Sequence, residues 1–263
     1  MAYYKINKLT DRLYSIYEPA EVFCYLWVGE KAAVLYDTTF GMGDLAQAVH
    51  EVIGELPLHV VLSHGHYDHV NGAAQFKSAY IHAEDKVLCL KHASRTGRRR
   101  AIDNYAIYEQ PLPEGFDADV YIHAGAGTLK MVEIGHIFDL GSLTIEVVAL
   151  EGHTAGSIGL LAREPRILLT SDALGPHHWL FLNESLPMTD YLAMLTRTQR
   201  LPFDFFYIGH SNTPRPISEL DAYKTVAQNA VVEKSTPYPR YPELNGWFYK
   251  EGDISIVFNA QKL

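Results

Sequence analysis

Short apolar runs separated by turn residues dominate the chain, and most have the length of strands. Arg12–Tyr17 alternates polar and apolar positions, Val22–Val28 is an apolar run closed by Gly29-Glu30-Lys31, and Ala32–Asp37 is a third such stretch. Alternation marks a half-buried strand, and an unbroken short run marks one buried on both faces. Gly41-Met42-Gly43-Asp44 then opens a helix to about Ile53, with Asp44 placed to cap it. Further strands are predicted at Leu58–Leu62, 79–82, Lys130–Val132, Leu143–Leu150, Ile158–Ala162, Arg166–Leu169 and Phe203–Ile208, with a last one through Ile254, Ile256 and Phe258. Helices are predicted over Glu84–Lys91, from Pro187 to Leu201 with Thr189 as N-cap, and from Ser218 to about Lys234, where Ser218 and Asp221 resemble a capping box. Strand–helix–strand order argues for α/β layers. Between His92 and Thr128 the periodicity dissolves. A stretch of that length reads as an insertion or lid at about 92–128 within a single domain spanning 1–263.

Chemistry concentrates where the Leu58–Leu62 run ends, at Ser63-His64-Gly65-His66-Tyr67-Asp68-His69. The carboxyl ends of strands are where α/β sheets carry their sites. On an extended segment side chains two apart point the same way, so His64 and His66 can grip one cation together. The turn that follows aims Asp68 and His69 at a neighbouring position. Neutral imidazoles with a carboxylate suit zinc, iron or manganese. His153, Asp172 and His210 share the same setting, a strand end followed by a glycine or serine turn.

Composition narrows the partners. A net charge of -9 opposes approach to phosphate backbones, so no nucleic acid is expected. No apolar run has membrane-spanning length, and Met1–Asn7 has no apolar export core, so no membrane and a cytoplasmic location are expected. Cys24 and Cys89 read as reduced, partly buried thiols. The expected partner is a small-molecule substrate, with a homodimer as the one further association to consider.

Taken together, the four stretches resemble the signature of metallo-β-lactamase-fold hydrolases: HxHxDH at His64–His69, GHTxGS at Gly152–Ser157, an Asp at Asp172 and a late His at His210. The resemblance spans roughly residues 20 to 215. It implies an α/β (α+β) fold, a four-layer αββα sandwich of two mixed β-sheets with helices outside and the site along one edge. Carried over residue by residue, it implies that His64, His66 and His153 hold one divalent ion, that Asp68, His69 and His210 hold a second, and that Asp172 bridges them. Asp37, after the third predicted strand, matches the family's structural Asp that supports the metal loop. Two ions roughly 3.5–4 Å apart can share a water and bring its pKa toward neutrality. Asp37 and Asp139 are candidates for holding the outer ring nitrogens of the histidines.

Departures from subfamilies narrow the expectation. Antibiotic-degrading members commonly carry Cys where Asp172 stands. Lactonases place a Tyr three residues after the bridging Asp, where this chain has Gly175. Glyoxalase II-like thioesterases share the ligand set and bind glutathione through a helical C-terminal domain, for which the Pro216–Lys234 segment supplies one helix with Tyr223 and Lys224. The expected function is a dinuclear metal-dependent hydrolase, most simply with zinc and alternatively with iron or manganese, that uses a bridging hydroxide on a thioester or lactone. Phosphodiester or phosphonate hydrolysis at the same metals, and a non-catalytic metal-binding sensor, are the alternatives. Asp68, His177 and His178 are the candidates for moving protons. Arg98, Tyr105 and Trp179 are the candidates for substrate contact. Within Arg98-Arg99-Arg100 the alternative is a solvated face, and for Tyr105, Tyr108 and Phe116 it is a small core of the insertion. His82, His92, His123 and His136 carry no assigned role.

Overall fold

The structure is a computed structural model that describes residues 2–263; Met1, the first residue of the stretch read above for an export core, lies outside the described residues. Seven strands form the first sheet in chain order: β1 (Lys5–Lys8), β2 (Leu13–Tyr17), β3 (Phe23–Val28), β4 (Ala33–Tyr36), β5 (Leu58–Val61), β6 (Ala79–Ile81) and β7 (Leu129–Met131). β1 to β4 pair antiparallel through tight turns, and β4 to β7 pair parallel because every return passes through helices. α1 (Leu45–Ile53) makes the first return, and Asp44 caps it by accepting from the Gln47 N–H at 2.9 Å. α2 (Tyr67–Val70) makes the second. α3 (Lys86–His92), α4 (Arg95–Ala106) and α5 (Ala118–His123) fill the third.

The chain continues through β8 (Ile137–Asp139), β9 (Thr144–Ala149), β10 (Ile158–Ala162), β11 (Ile167–Ser171), β12 (His177–Leu180), β13 (Phe205–Ile208) and β14 (Ser211–Pro216). All but β12 form the second sheet, in the order β14-β13-β11-β10-β9-β8, and α6 (Met188–Thr198) connects its one parallel pair, β11 and β13. After α7 (Glu219–Asn229) come β15 (Thr236–Pro237), β16 (Gly246–Glu251) and β17 (Ile254–Asn259), which with β12 build a third sheet in the order β12-β17-β16-β15.

Strands apolar on both faces explain the layering. In β3, Phe23, Tyr25 and Trp27 face the second sheet and pack with Ile145, Val147, Leu160 and Leu169. Their neighbours Cys24 and Leu26 face outward onto Leu45, Val49 and Cys89 of α1 and α3. On the far side, Val148, Leu161 and Leu168 pack against α6, α7 and the third sheet. The expected αββα sandwich is therefore present, with the third sheet added beside α7. Burying Trp27, Tyr25 and Tyr36 almost completely contributes on the order of 1.5–3 kcal/mol per side chain.

Three local expectations change. The segment 92–128 is not structureless: α4 and α5 occupy much of it and close a small core of Phe40, Ala101, Tyr105 and Tyr121. Residues 177–180, where the apolar pattern predicts no strand, form β12, because β17 offers a parallel partner there. α6 begins at Met188 with Pro187 as its N-cap, leaving Thr189 inside the helix.

Candidate metal centre

The site forms where strands of both sheets end. His64, His66, Asp68 and His69 follow β5, His153 follows β9, Asp172 follows β11 and His210 follows β13. The chain bends over residues 63–65 rather than running extended through His64, and only His66 is extended; Asp68 and His69 fall within α2. The Nε2 of His64 and the Nε2 of His153 each lie 3.0 Å from Nδ1 of His66. Alongside, Asp172 Oδ2 lies 3.4 Å from His210 Nε2, 3.5 Å from His69 Nε2 and 3.9 Å from His153 Nε2. Asp68 Oδ2 is 3.6 Å from His69 Nε2 and 3.8 Å from His210 Nε2. All seven expected residues are thus gathered into three overlapping groups: His64, His66 and His153; Asp68, His69 and His210; and Asp172 with His64 and His69, one from each of the other two.

The outer hydrogen bonds fix which nitrogen of each ring carries its proton. His153 Nδ1 meets the Trp179 carbonyl at 2.9 Å, so this nitrogen donates and Nε2 is a bare lone pair. His66 Nε2 meets the Glu184 carboxylate at 2.8 Å, which leaves Nδ1 bare. Ser63 Oγ donates to Asp37 and so accepts from His64 Nδ1 at 2.8 Å, leaving His64 Nε2 bare. His69 Nδ1 donates to Asp37 Oδ2 at 3.1 Å, and its Nε2 is buried without a partner. Lone pairs converging at 3.0 Å repel one another, and an orphaned buried nitrogen is costly. A cation at the centre relieves both, so these donors fit divalent metal ions. Burial, together with His69, His66 and His153, holds His64 well below the usual imidazole range, and burial then His66 bring His153 down to about 4. Both rings are therefore neutral, as ligands must be.

Two buried carboxylates, one from each flank, hold the loops. Asp37 accepts from Ser63 N–H at 2.7 Å and Ser171 Oγ at 2.7 Å, tying the loop after β5 to the end of β11. Asp37 and Ser171 both take left-handed backbone conformations, with φ of 68° and 48°, strain that this knot of hydrogen bonds sustains. Asp85, at the start of α3, accepts from Gly65 N–H at 2.6 Å, Gly156 N–H at 2.8 Å and Thr154 Oγ1 at 2.8 Å. It therefore pins both histidine loops. A Cβ at Gly156 would lie 2.6 Å from the Asp85 nitrogen, which is why glycine stands in that turn.

Other expected residues divide. The cleft over the cluster has a volume of about 720 Å³, and Asp68, His177 and Trp179 line it. His177 Nδ1 is held by Ser255 Oγ at 2.8 Å. His178, next along β12, points the other way as a strand requires: it is 4% exposed, stacks on Tyr191 at 4.3 Å and does not line the cleft. Arg98 is not a substrate contact. It is 1% exposed, donates to the carbonyls of Asn71 and Gly125, and lies over Tyr121. Tyr105 is buried with Phe40 and bonds Tyr3, away from the cleft. Asp139 is exposed and caps its own turn at Gly141, so it holds no histidine. Tyr223 is buried against Glu219, and neither it nor Lys224 lines the cleft. Sequence reasoning missed Glu184, Asp85, Tyr241 and Arg240. Glu184 meets His66 118 residues away, Asp85 meets Gly156 71 residues away and Arg240 meets Trp179 from a later connection, and no local spacing announces these pairings.

An αββα frame with a histidine–aspartate cluster across its strand ends is the architecture of a metal-dependent hydrolase. The chain belongs to the metallo-beta-lactamase superfamily, whose family model matches residues 17–210. It is 26% identical over 227 residues to the hydroxyacylglutathione hydrolase GloC of Haemophilus influenzae, covering 81% of this chain and 90% of that protein. It is also 26% identical over 163 residues to the acyl-coenzyme A thioesterase MBLAC2 of Homo sapiens, covering 57% of each chain. Among solved structures, a metallo-beta-lactamase from Pontibacter korlensis shares the fold with a TM-score of 0.59 at 16% identity, covering 86% of this chain and all of that one. A metallo-beta-lactamase family protein from Thermus thermophilus does so with a TM-score of 0.58 at 19% identity, covering 84% of this chain and 81% of that one. Among the described residues no helix is long and apolar enough to cross a membrane.

Proposed function

We propose that this hydrolase cleaves a thioester, with two divalent metal ions, zinc in the first instance, held by His64, His66 and His153 on one side and by Asp68, His69 and His210 on the other, Asp172 serving both. The observation that carries the metal assignment is the set of bare imidazole nitrogens turned toward one another while every outer nitrogen of His64, His66, His69 and His153 is engaged. The thioester follows from the two relatives, which are named for hydrolysing a glutathione thioester and acyl-coenzyme A. Metal ions at these donors supply water activation near neutral pH and polarise the substrate carbonyl.

The chain's own residues do the remaining work. Asp68 lines the cleft and accepts the proton released when water attacks the carbonyl carbon. His177, held by Ser255 Oγ and lining the same cleft, receives that proton from Asp68 and passes it to the departing thiolate. Tyr67, Tyr108, Trp179 and Tyr241 give the cleft apolar faces that exclude bulk water around the acyl group.

The test is a substrate panel on metal-reconstituted protein with and without chelator: an acyl thioester, a lactone and bis-p-nitrophenyl phosphate. Chelator-sensitive turnover of the thioester, lost in Asp172→Ala together with bound metal, is the expected result. Cleavage of the phosphodiester alone overturns the thioester reading. Binding of metal without turnover of any substrate leaves a sensor.

A further inference from the structure

The cleft sets cations among its carboxylates: Asp68, Asp172, Glu184 and Glu243 line it together with Lys91, Arg100, Arg215 and Arg240. Net charge is -9, yet Lys91 and Arg100 line one wall, from α3 and α4, and Arg240 lines the other, from the connection between β15 and β16. None of the three forms an ion pair among the described residues, whereas Arg215 at the cleft's end is taken up by Glu219 at 2.8 Å. Cations left without a carboxylate partner along a cleft are free to pair with an anionic group of a ligand.

Arg240 is the most constrained of the three. Its guanidinium carbon lies 5.2 Å from the ring centre of Trp179 and 5.2 Å from that of Tyr241. A guanidinium beside aromatic rings still offers a ligand those in-plane N–H edges that its neighbours do not take up. Those edges match the two oxygens of a carboxylate or phosphate. Trp179 also ties this position to the chemistry. Its ring underlies Arg240 while its carbonyl accepts from His153 Nδ1. Arg240 and Tyr241 lie beyond residue 210, where the family match ends.

We propose that Arg240, braced on Trp179 and Tyr241, is the receptor for an oxyanion group of the substrate remote from the scissile carbonyl, with Arg100 and Lys91 approaching the same group from the facing wall. This rests on the thioester reading and adds to it that the preferred thioesters are anionic. The shared chemistry is a carboxylate or phosphate, carried either by the thiol or by the acyl group.

The experiment compares four thioesters on the metal-loaded protein and on Arg240→Gln: acetyl-coenzyme A, a glutathione thioester, neutral acetyl-N-acetylcysteamine, and succinyl-N-acetylcysteamine, which puts the charge on the acyl side. The wild-type preference in kcat/KM for anionic over neutral thioesters is expected to fall roughly 10- to 100-fold in Arg240→Gln, mainly through KM. Arg240→Lys is expected to restore part of it, and Arg100→Gln to shift it in the same direction. Which charged substrate loses most tells whether the anion sits on the thiol or on the acyl group. Equal losses on charged and neutral substrates overturn the proposal, as does an unchanged preference. Should the wild type cleave no thioester, calorimetric titration with free coenzyme A and glutathione still decides. Weaker binding to Arg240→Gln than to wild type sustains the anion receptor, and equal binding refutes it.

Discussion

Removing the Asp85 carboxylate would leave the Gly65 and Gly156 N–H groups buried without an acceptor, and free both histidine loops at once. Two unsatisfied buried donors cost about 2–6 kcal/mol. Asp85→Ala is therefore expected to lower the unfolding free energy by that order, and Asp85→Asn, which keeps one oxygen, by less; urea unfolding of both variants measures it. Glu18 is a second buried carboxylate, with a different consequence. It accepts from the Phe40 N–H at 2.8 Å, and burial pushes its pKa up to about 8. Between the ordinary carboxylate value and about 8, the folded chain keeps a proton that the unfolded chain has released. Its contribution to stability therefore falls as pH rises through that window and levels off above it, a change on the order of a few kcal/mol. Unfolding free energies at pH 5 and pH 9 should differ less for Glu18→Gln than for wild type, and identical differences would remove Glu18 from the account. Neither residue could be found from sequence, because burial and long-range donors give each its role. His64, His66, Asp68 and His69 could, because their geometry is local.

At the level of elements, most strands were legible because they either run apolar on both faces, as β3 and β10 do, or alternate, as β2 does. α4 was hidden by its own composition. Its buried positions, Arg98, Ala101 and Tyr105, do recur at helical spacing, but the first is an arginine and breaks the apolar pattern. β12 was hidden because its partner is remote: His177 pairs with Ser255 of β17, 78 residues further along. The loop after β12 shows how the chain's end supports the site. Lys262 Nζ donates to the carbonyls of Leu182, Asn183 and Ser185, at 2.8, 3.0 and 2.6 Å, and so frames Glu184, which holds His66. Outer partners of metal-binding histidines are commonly worth roughly 10- to 100-fold in metal affinity. Glu184→Ala is expected to weaken metal binding by about that factor, and Lys262→Met by a smaller one in the same direction. Because Lys262 acts through Glu184, the double variant should be no worse than Glu184→Ala alone. Chelator competition supplies all three values, and additive losses would show that Lys262 acts elsewhere.

Across the whole molecule, the cluster draws its donors from both halves of the sandwich: four from the loop after β5 in the first sheet, and His153, Asp172 and His210 from the second. Asp37 and Ser171 already bridge the same seam through one hydrogen bond at 2.7 Å. Ions bound there would bind the folded chain and not the unfolded one, whose ligands are scattered over the sequence from His64 to His210. At a free metal concentration of about 1,000 times Kd, that linkage stabilises the fold by about 4 kcal/mol. For a domain of this size it corresponds to a rise in Tm on the order of 10 °C. Thermal unfolding in chelator, then with zinc restored, should show the increment in wild type. Asp172→Ala, which removes the carboxylate grouped with His64 and His69, should lose most of it, while Asp139→Ala, at an exposed turn away from the cluster, should keep it. An increment that survives in Asp172→Ala would mean that the ion binds somewhere other than this seam.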